Sequence, residues 1–389
     1  MSEASPNPPD SPADSAPASP GRWIVNRPVD LALLAIPAAF TILALCLPIP
    51  QQGGVSLLAF LFLIVAFDVA HVWSTLYLTY ANPAVVVRRR LLLALPIPLT
   101  IWFSYRLHVQ DPTLFWTLIA YVAIHHFASQ QWGFVALYKF RHQERDPLDK
   151  ALDKLALWTG ALGPVAYWHT LDVEFDWFGH GERFLHTLPP SIRGDILLLM
   201  AAVAFLYLTR QITLARAGRF NWGKNLWMLA VWGSWSLAVY RLDHPLVSLA
   251  CINLLHGIPF LALVWVRLHR YWATQSDPEV RARSRFVALL SGTGESRPRS
   301  KLGWIGLAAL FYLPLLALAV LEEGAWERYV WGVRLDLGWK PTHEQLSFVV
   351  ALLATPQIVH YILDGWLWKM DGSNPDLNLA LGKSPPSEP

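Results

Sequence analysis

Apolar residues in this chain do not alternate with polar ones. They recur in long runs, at about Leu31–Leu47, Val55–Tyr80, Leu91–Tyr105, Pro112–Tyr138, Leu152–Trp168, Ile196–Leu208, Trp222–Tyr240, Pro245–Val266, Leu302–Leu321 and Leu346–Trp368. A helix rises 1.5 Å per residue, so ~20 such residues cross a hydrocarbon core. The pattern predicts an all-α, polytopic bundle of about ten transmembrane spans within residues 29–369. The third and sixth runs are short. Residues 1–28 are expected to be a disordered Pro/Ser/Ala-rich tail, because their composition cannot bury a core. The tail lacks the basic stretch of a cleaved signal peptide, so the first run is read as an uncleaved span. Residues 370–389 are read as a second disordered tail.

The loops carry an orientation. Arg88, Arg89 and Arg90 follow the second run; Lys139, Arg141, Arg145, Lys150 and Lys154 follow the fourth. Arg210, Arg216, Arg219 and Lys224 follow the sixth, and a basic segment from Arg267 to Lys301 follows the eighth. Loops after odd-numbered runs are poorer in Lys and Arg or mixed with acid, as at Asp172, Glu174, Asp176 and Glu182. This alternation is the positive-inside pattern, and it places both termini in the cytoplasm of an inner-membrane protein. The outer segments 169–194 and 322–342 mix aromatic and charged residues, among them Phe175, Trp177, Trp326 and Trp331, and are expected to cap the outer face.

Composition agrees. Of 389 residues 54% are hydrophobic and 15% charged, with mean hydropathy +0.34, whereas soluble domains are about 25% charged. A net charge of +3 gives no reason to expect nucleic acid. The two cysteines, Cys46 and Cys251, lie in apolar runs and suggest neither a disulfide framework nor a thiolate site. Membrane lipids are the expected surroundings.

Polar residues inside the runs then stand out. The fourth run carries His125, His126, Ser129, Gln130 and Gln131 at its middle. Such groups are costly at bilayer depth unless they face a protein interior. His71, His126, His256 and His360 lie 11, 13, 11 and 9 residues before Asn82, Lys139, Arg267 and Lys369. All therefore sit ~14–20 Å above the cytoplasmic boundary. One buried histidine is an ordinary hydrogen-bonding residue; four helices delivering imidazole to one layer point to a site. Each has a polar neighbour one turn away: Asp68 for His71, Gln130 for His126, Asn253 for His256, and Asp364 with Gln357 for His360. Between His125 and His126 the sequence does not choose outright; His126 is favoured because Gln130 shares its face.

Imidazole with carboxylate suits iron, zinc or manganese. The metal-ligand candidates are His71, His125, His126, His256 and His360. Asp68 and Asp364 are ligands or partners that orient a ligand histidine, and Gln130 and Asn253, poorer ligands, fit better behind the ligands or facing substrate.

The stretches HHFASQQWGFVALYKF, from His125, and HYILDGWLWK, from His360, resemble motifs of a family of bacterial multi-pass membrane proteins that brings no known activity. The general plan is similar in architecture to the Brp/Blh-type membrane carotenoid dioxygenases, a resemblance that implies iron. That family's His-Gly-Ala-x-Asp-His pattern is absent, as are the HxxxH and HxxHH boxes of fatty-acid desaturases.

The resulting expectation is a non-haem iron oxidoreductase of oxygenase, hydroxylase or desaturase type, with zinc or haem as the alternative cofactor. Its substrate would be a lipid or isoprenoid. Two other readings use the same residues: a proton- or metal-ion-coupled transporter, and a bis-histidine haem electron carrier.

Overall fold

The computed structural model describes residues 23–46, 56–171, 188–241, 247–248, 250–275, 278–294, 297–332, 338–369, 374 and 377. The expected tails up to residue 22 and beyond residue 377, residues 172–187 of the first outer segment and 333–337 of the second lie outside these residues; residues 322–331, expected in the second outer loop, instead continue a long helix. Among the described residues every regular element is helical. The long helices are α1 Arg27–Cys46, α2 Leu57–Leu78, α3 Arg90–Gln110, α4 Pro112–Arg141, α5 Pro147–Trp168, α6 Pro190–Arg216, α7 Trp222–Tyr240, α8 Ala250–Ala273, α9 Lys301–Trp331 and α10 His343–Leu367.

Local chemistry sets the helix starts. Asp111 and Asp146 precede Pro112 and Pro147, and their carboxylates accept the free N–H groups of the first turns of α4 and α5. Asn221 and Ser300 do the same for α7 and α9, and Thr342 with Gln345 forms a capping box on α10.

Seven of these helices, α1, α2, α3, α6, α8, α9 and α10, are long and apolar enough to cross a membrane. The outward faces are as apolar as that requires, with Leu43 on α1, Trp102 on α3, Leu198 and Phe205 on α6 and Leu321 on α9 all exposed. Helices α4, α5 and α7 are of spanning length but carry more polar residues. The helices α3 and α6 run well past the short apolar runs expected for them, because their ends hold polar residues such as Arg106 and Arg210.

Helix α8 is the centre, with 72% of its most apolar stretch buried. It packs on α1, α2, α4 and α7, while α10 packs along α2 and α3. One apolar core joins α4, α5, α7 and α8, and a second joins α2, α8, α9 and α10. The N-terminal approach is also anchored: Ile24 is buried, and Arg141 and Arg270 donate to the carbonyls of Trp23 and Ile24. Residues 23–28, assigned to the tail on composition, thus include a packed turn and the start of α1.

Three helices hold π-helical turns: one, Glu327–Trp331, ends α9, and the other two lie nearer the expected layer. In α2 the turns from Leu61 to Val69 are π-helical, and so are those from Ala250 to Leu254 in α8. Such turns are uncommon and concentrate at functional sites. Each lies just before a histidine of the expected layer, His71 and His256. The two helices meet closely there: a Cβ on Gly257 would lie 2.4 Å from the Phe67 carbonyl oxygen. That neighbour is backbone and has little room to yield. Gly257→Ala is expected to destabilise the protein by about 1–3 kcal/mol. Gly306→Ala, on α9 with open space around it, is expected to be neutral or slightly stabilising. Thermal unfolding in detergent compares them; equal melting temperatures would refute the close approach.

Candidate metal centre

The four layer histidines meet. Ring centroids lie 4.4 Å apart for His71–His256, 4.9 Å for His71–His360, 5.2 Å for His126–His256 and 4.9 Å for His126–His360. Exposure of each is between 0 and 7%. Ligating atoms of His71, His126 and His256 lie within 4.8 Å of one another, as do those of His126, His360 and Asp364. Both sets are compatible with a bound ion, and His126 belongs to each.

The hydrogen-bonding pattern separates these histidines from the others. His108 shares a hydrogen bond with Ser347, His169 with Tyr121, His269 with the Ser291 carbonyl and His343 with the Val109 carbonyl. In the layer, both ring nitrogens of His71 and of His256, and Nε2 of His126 and of His360, have no hydrogen-bond partner. Asp68 Oδ1 and Asp364 Oδ1 are likewise unpartnered. A buried polar atom left unsatisfied costs about 1–3 kcal/mol. Nitrogen and carboxylate acceptors gathered in two overlapping sets that share His126 fit a first-row metal ion that would satisfy several at once.

The two carboxylates stand beside their histidines. Asp68 Oδ1 is 3.7 Å from His71 Nδ1, and Asp364 Oδ2 is 3.7 Å from His360 Nε2. These separations exceed a hydrogen bond, so neither carboxylate is held by its histidine. His360 is oriented from its other side: its Nδ1 and the Thr75 hydroxyl are 2.7 Å apart. That contact directs Nε2 into the cluster, as partners of ligand histidines do.

The remaining expected residues divide. His125 does not join the centre. It is exposed, its ring 5.5 Å from that of Trp158, because it points about 100° away from His126 around α4. Gln130 has both amide atoms unpartnered and lines a groove beside His126. Gln131 instead ties helices together, accepting from Trp227 and donating to the Leu255 carbonyl. Asn253 is buried within the π-helical turn of α8. Gln357 does not serve His360; its amide donates to the Tyr361 hydroxyl at 2.6 Å.

Thr75 and Tyr361 were not foreseen. The Tyr361 ring lies 4.2 Å from that of His126. Both were open to the spacing rule already in use, since Thr75 is four residues after His71 and Tyr361 four after Gln357.

Comparison of the chain with protein-family models, with curated proteins and with solved structures gives no match.

Proposed function

We propose that this protein is an integral membrane, metal-dependent oxidoreductase acting on a lipid or isoprenoid substrate. The observation that carries the reading is the convergence of four buried imidazoles, each with at least one ring nitrogen lacking a partner, while His108, His169 and His269 are hydrogen-bonded. His71, His126, His256 and His360 would hold non-haem iron, with Asp68 and Asp364 as ligands or orienting carboxylates. A bound iron ion supplies redox chemistry. Thr75 holds His360 in one orientation. Tyr361 and Gln130 stand at the groove side, where they can hydrogen-bond an oxygen on the substrate. The apolar surroundings exclude water from the reacting carbon.

The position within the bilayer follows from the loops. We read α1 to α10 as ten spans, with α4, α5 and α7 crossing as inner members of the bundle and both termini in the cytoplasm of an inner membrane. The positive-inside alternation supports this.

A haem carrier uses the same histidines, but rings packed at 4.4–5.2 Å leave little space for a planar macrocycle between them. Elemental analysis of detergent-purified protein, with its visible spectrum, tests the reading. Stoichiometric iron without a Soret band is expected. Absence of any first-row metal after purification and reloading would overturn it, and a Soret band would turn it toward haem.

A further inference from the structure

Between α4 and α10 runs a groove of about 540 Å³, within the size range of small-molecule sites. It is lined from Val122 to Leu137 on α4 and from Ile358 to Gly365 on α10, ~22 and ~11 Å of helix at 1.5 Å per residue, with Trp368 and Lys369 just past the end of α10. His126, Tyr361 and Asp364 form part of its wall. Val122 and Ile362 on its rim are 43 and 46% exposed, so it opens sideways through the apolar face of the bundle. Two glycines, Gly133 and Gly365, line it from opposite helices, and a Cβ on either would meet no atom within 4 Å. The slot is thus held open by small residues on both sides.

One end differs in chemistry from the rest. Lys369 is exposed and is the only lysine or arginine in the lining. Among the described residues no carboxylate forms an ion pair with it. A lysine at a helix end commonly extends its ammonium to the membrane boundary. Here it stands at the mouth of a lipid-sized groove, where an anion would gain a charge-assisted hydrogen bond.

We infer that the groove holds a single-chain amphiphile with an ionised acidic headgroup. The headgroup lies at Lys369 and the chain passes along α4 and α10 across the histidine centre. Asp364 lies five residues before Lys369 and three before the end of α10, ~5 Å along the helix axis from that end. The carbon presented to the centre is therefore one within the chain, not one beside the headgroup. This inference rests on the membrane-enzyme reading and narrows its substrate to an acid-headed chain such as a fatty acid.

The test is competition against an environment-sensitive fluorescent fatty acid bound to the detergent-purified protein, at about pH 8, where a carboxylic acid is ionised. Hexadecanoic acid is expected to compete at least about tenfold better than hexadecanol, the scale of one charge-assisted hydrogen bond. Lys369→Gln should remove that preference while leaving the alcohol unaffected. Gly133→Phe and Gly365→Phe should each weaken both competitors at unchanged melting temperature. Equal competition by acid and alcohol, a preference that survives Lys369→Gln, or binding indifferent to both phenylalanines would overturn the inference. Metal content is measured in parallel. Metal without acid binding defeats the substrate assignment alone; acid binding without metal upholds the groove and defeats the enzyme.

Discussion

His256→Ala and His360→Ala are each expected to purify with at least about tenfold less metal than the unaltered protein. Changes to residues that merely orient a ligand histidine typically cost 10–100-fold in metal affinity, and removing the ligand costs more. Thr75→Val provides the graded case: it keeps all four imidazoles but removes the hydroxyl on His360 Nδ1. Its affinity should fall within that 10–100-fold range. His108→Ala and His269→Ala alter histidines bonded to Ser347 and to the Ser291 carbonyl, away from the cluster, and should retain full metal. Metal analysis across the set, on protein that elutes as a single species, decides the matter. Uniform loss or uniform retention would make the layer a packing feature, stabilised by interhelical polar contacts.

The largest effect on stability is expected from Lys224→Met. Lys224 is fully buried and donates to Glu144 at 2.8 Å and to Asp153 at 3.2 Å. Lys139 completes the set by bonding the same two carboxylates. The group ties α4, α5 and α7 together with the loop after α4, and Asn221 adds a bond to Glu144. Removing one lysine leaves a buried carboxylate undercompensated, a loss of about 3–5 kcal/mol. Chemical unfolding in detergent measures it, and a change below about 1 kcal/mol would contradict the assignment. Burial alone would raise the Glu144 carboxyl, but the charges of Lys224 and Lys139 and the bonds from Lys224 and Asn221 hold it below its ordinary value. A depressed carboxyl favours the folded state at neutral pH. Its contribution is lost as the pH falls through the ordinary carboxylate range toward the folded value.

Depth along the bundle was legible in the sequence; direction around each helix was legible only in part. Counting residues from basic loops placed His71, His126, His256 and His360 in one layer, because rise per residue is nearly constant. Choosing His126 over His125 needed the facing of α4, and Gln130 indicated it correctly. The same spacing rule misassigned Gln357, which has two helical neighbours to choose from, His360 and Tyr361, and bonds the second. It gave no hint of the buried ion network, because Lys139 and Lys224 read as loop charges. Nothing in the residue types of Asp153 or Glu144 says that they fold inward to meet them. The groove was invisible too, since Gly133 and Gly365 are unremarkable until α4 and α10 are set side by side.

The π-helical turns of α2 and α8 have a consequence for phase. Each widened turn holds more residues than a regular one, so the helical wheel drawn upstream of it does not continue downstream. His71 and His256 owe their facing to that offset. Were Leu61–Val69 to relax to regular α-helix with every residue kept, the surplus rotation would turn one half of α2 against the other. Either His71 would swing out of the cluster or the outer half of α2 would lose its seat on α8. The centre is thus tuned by residue number as much as by residue type.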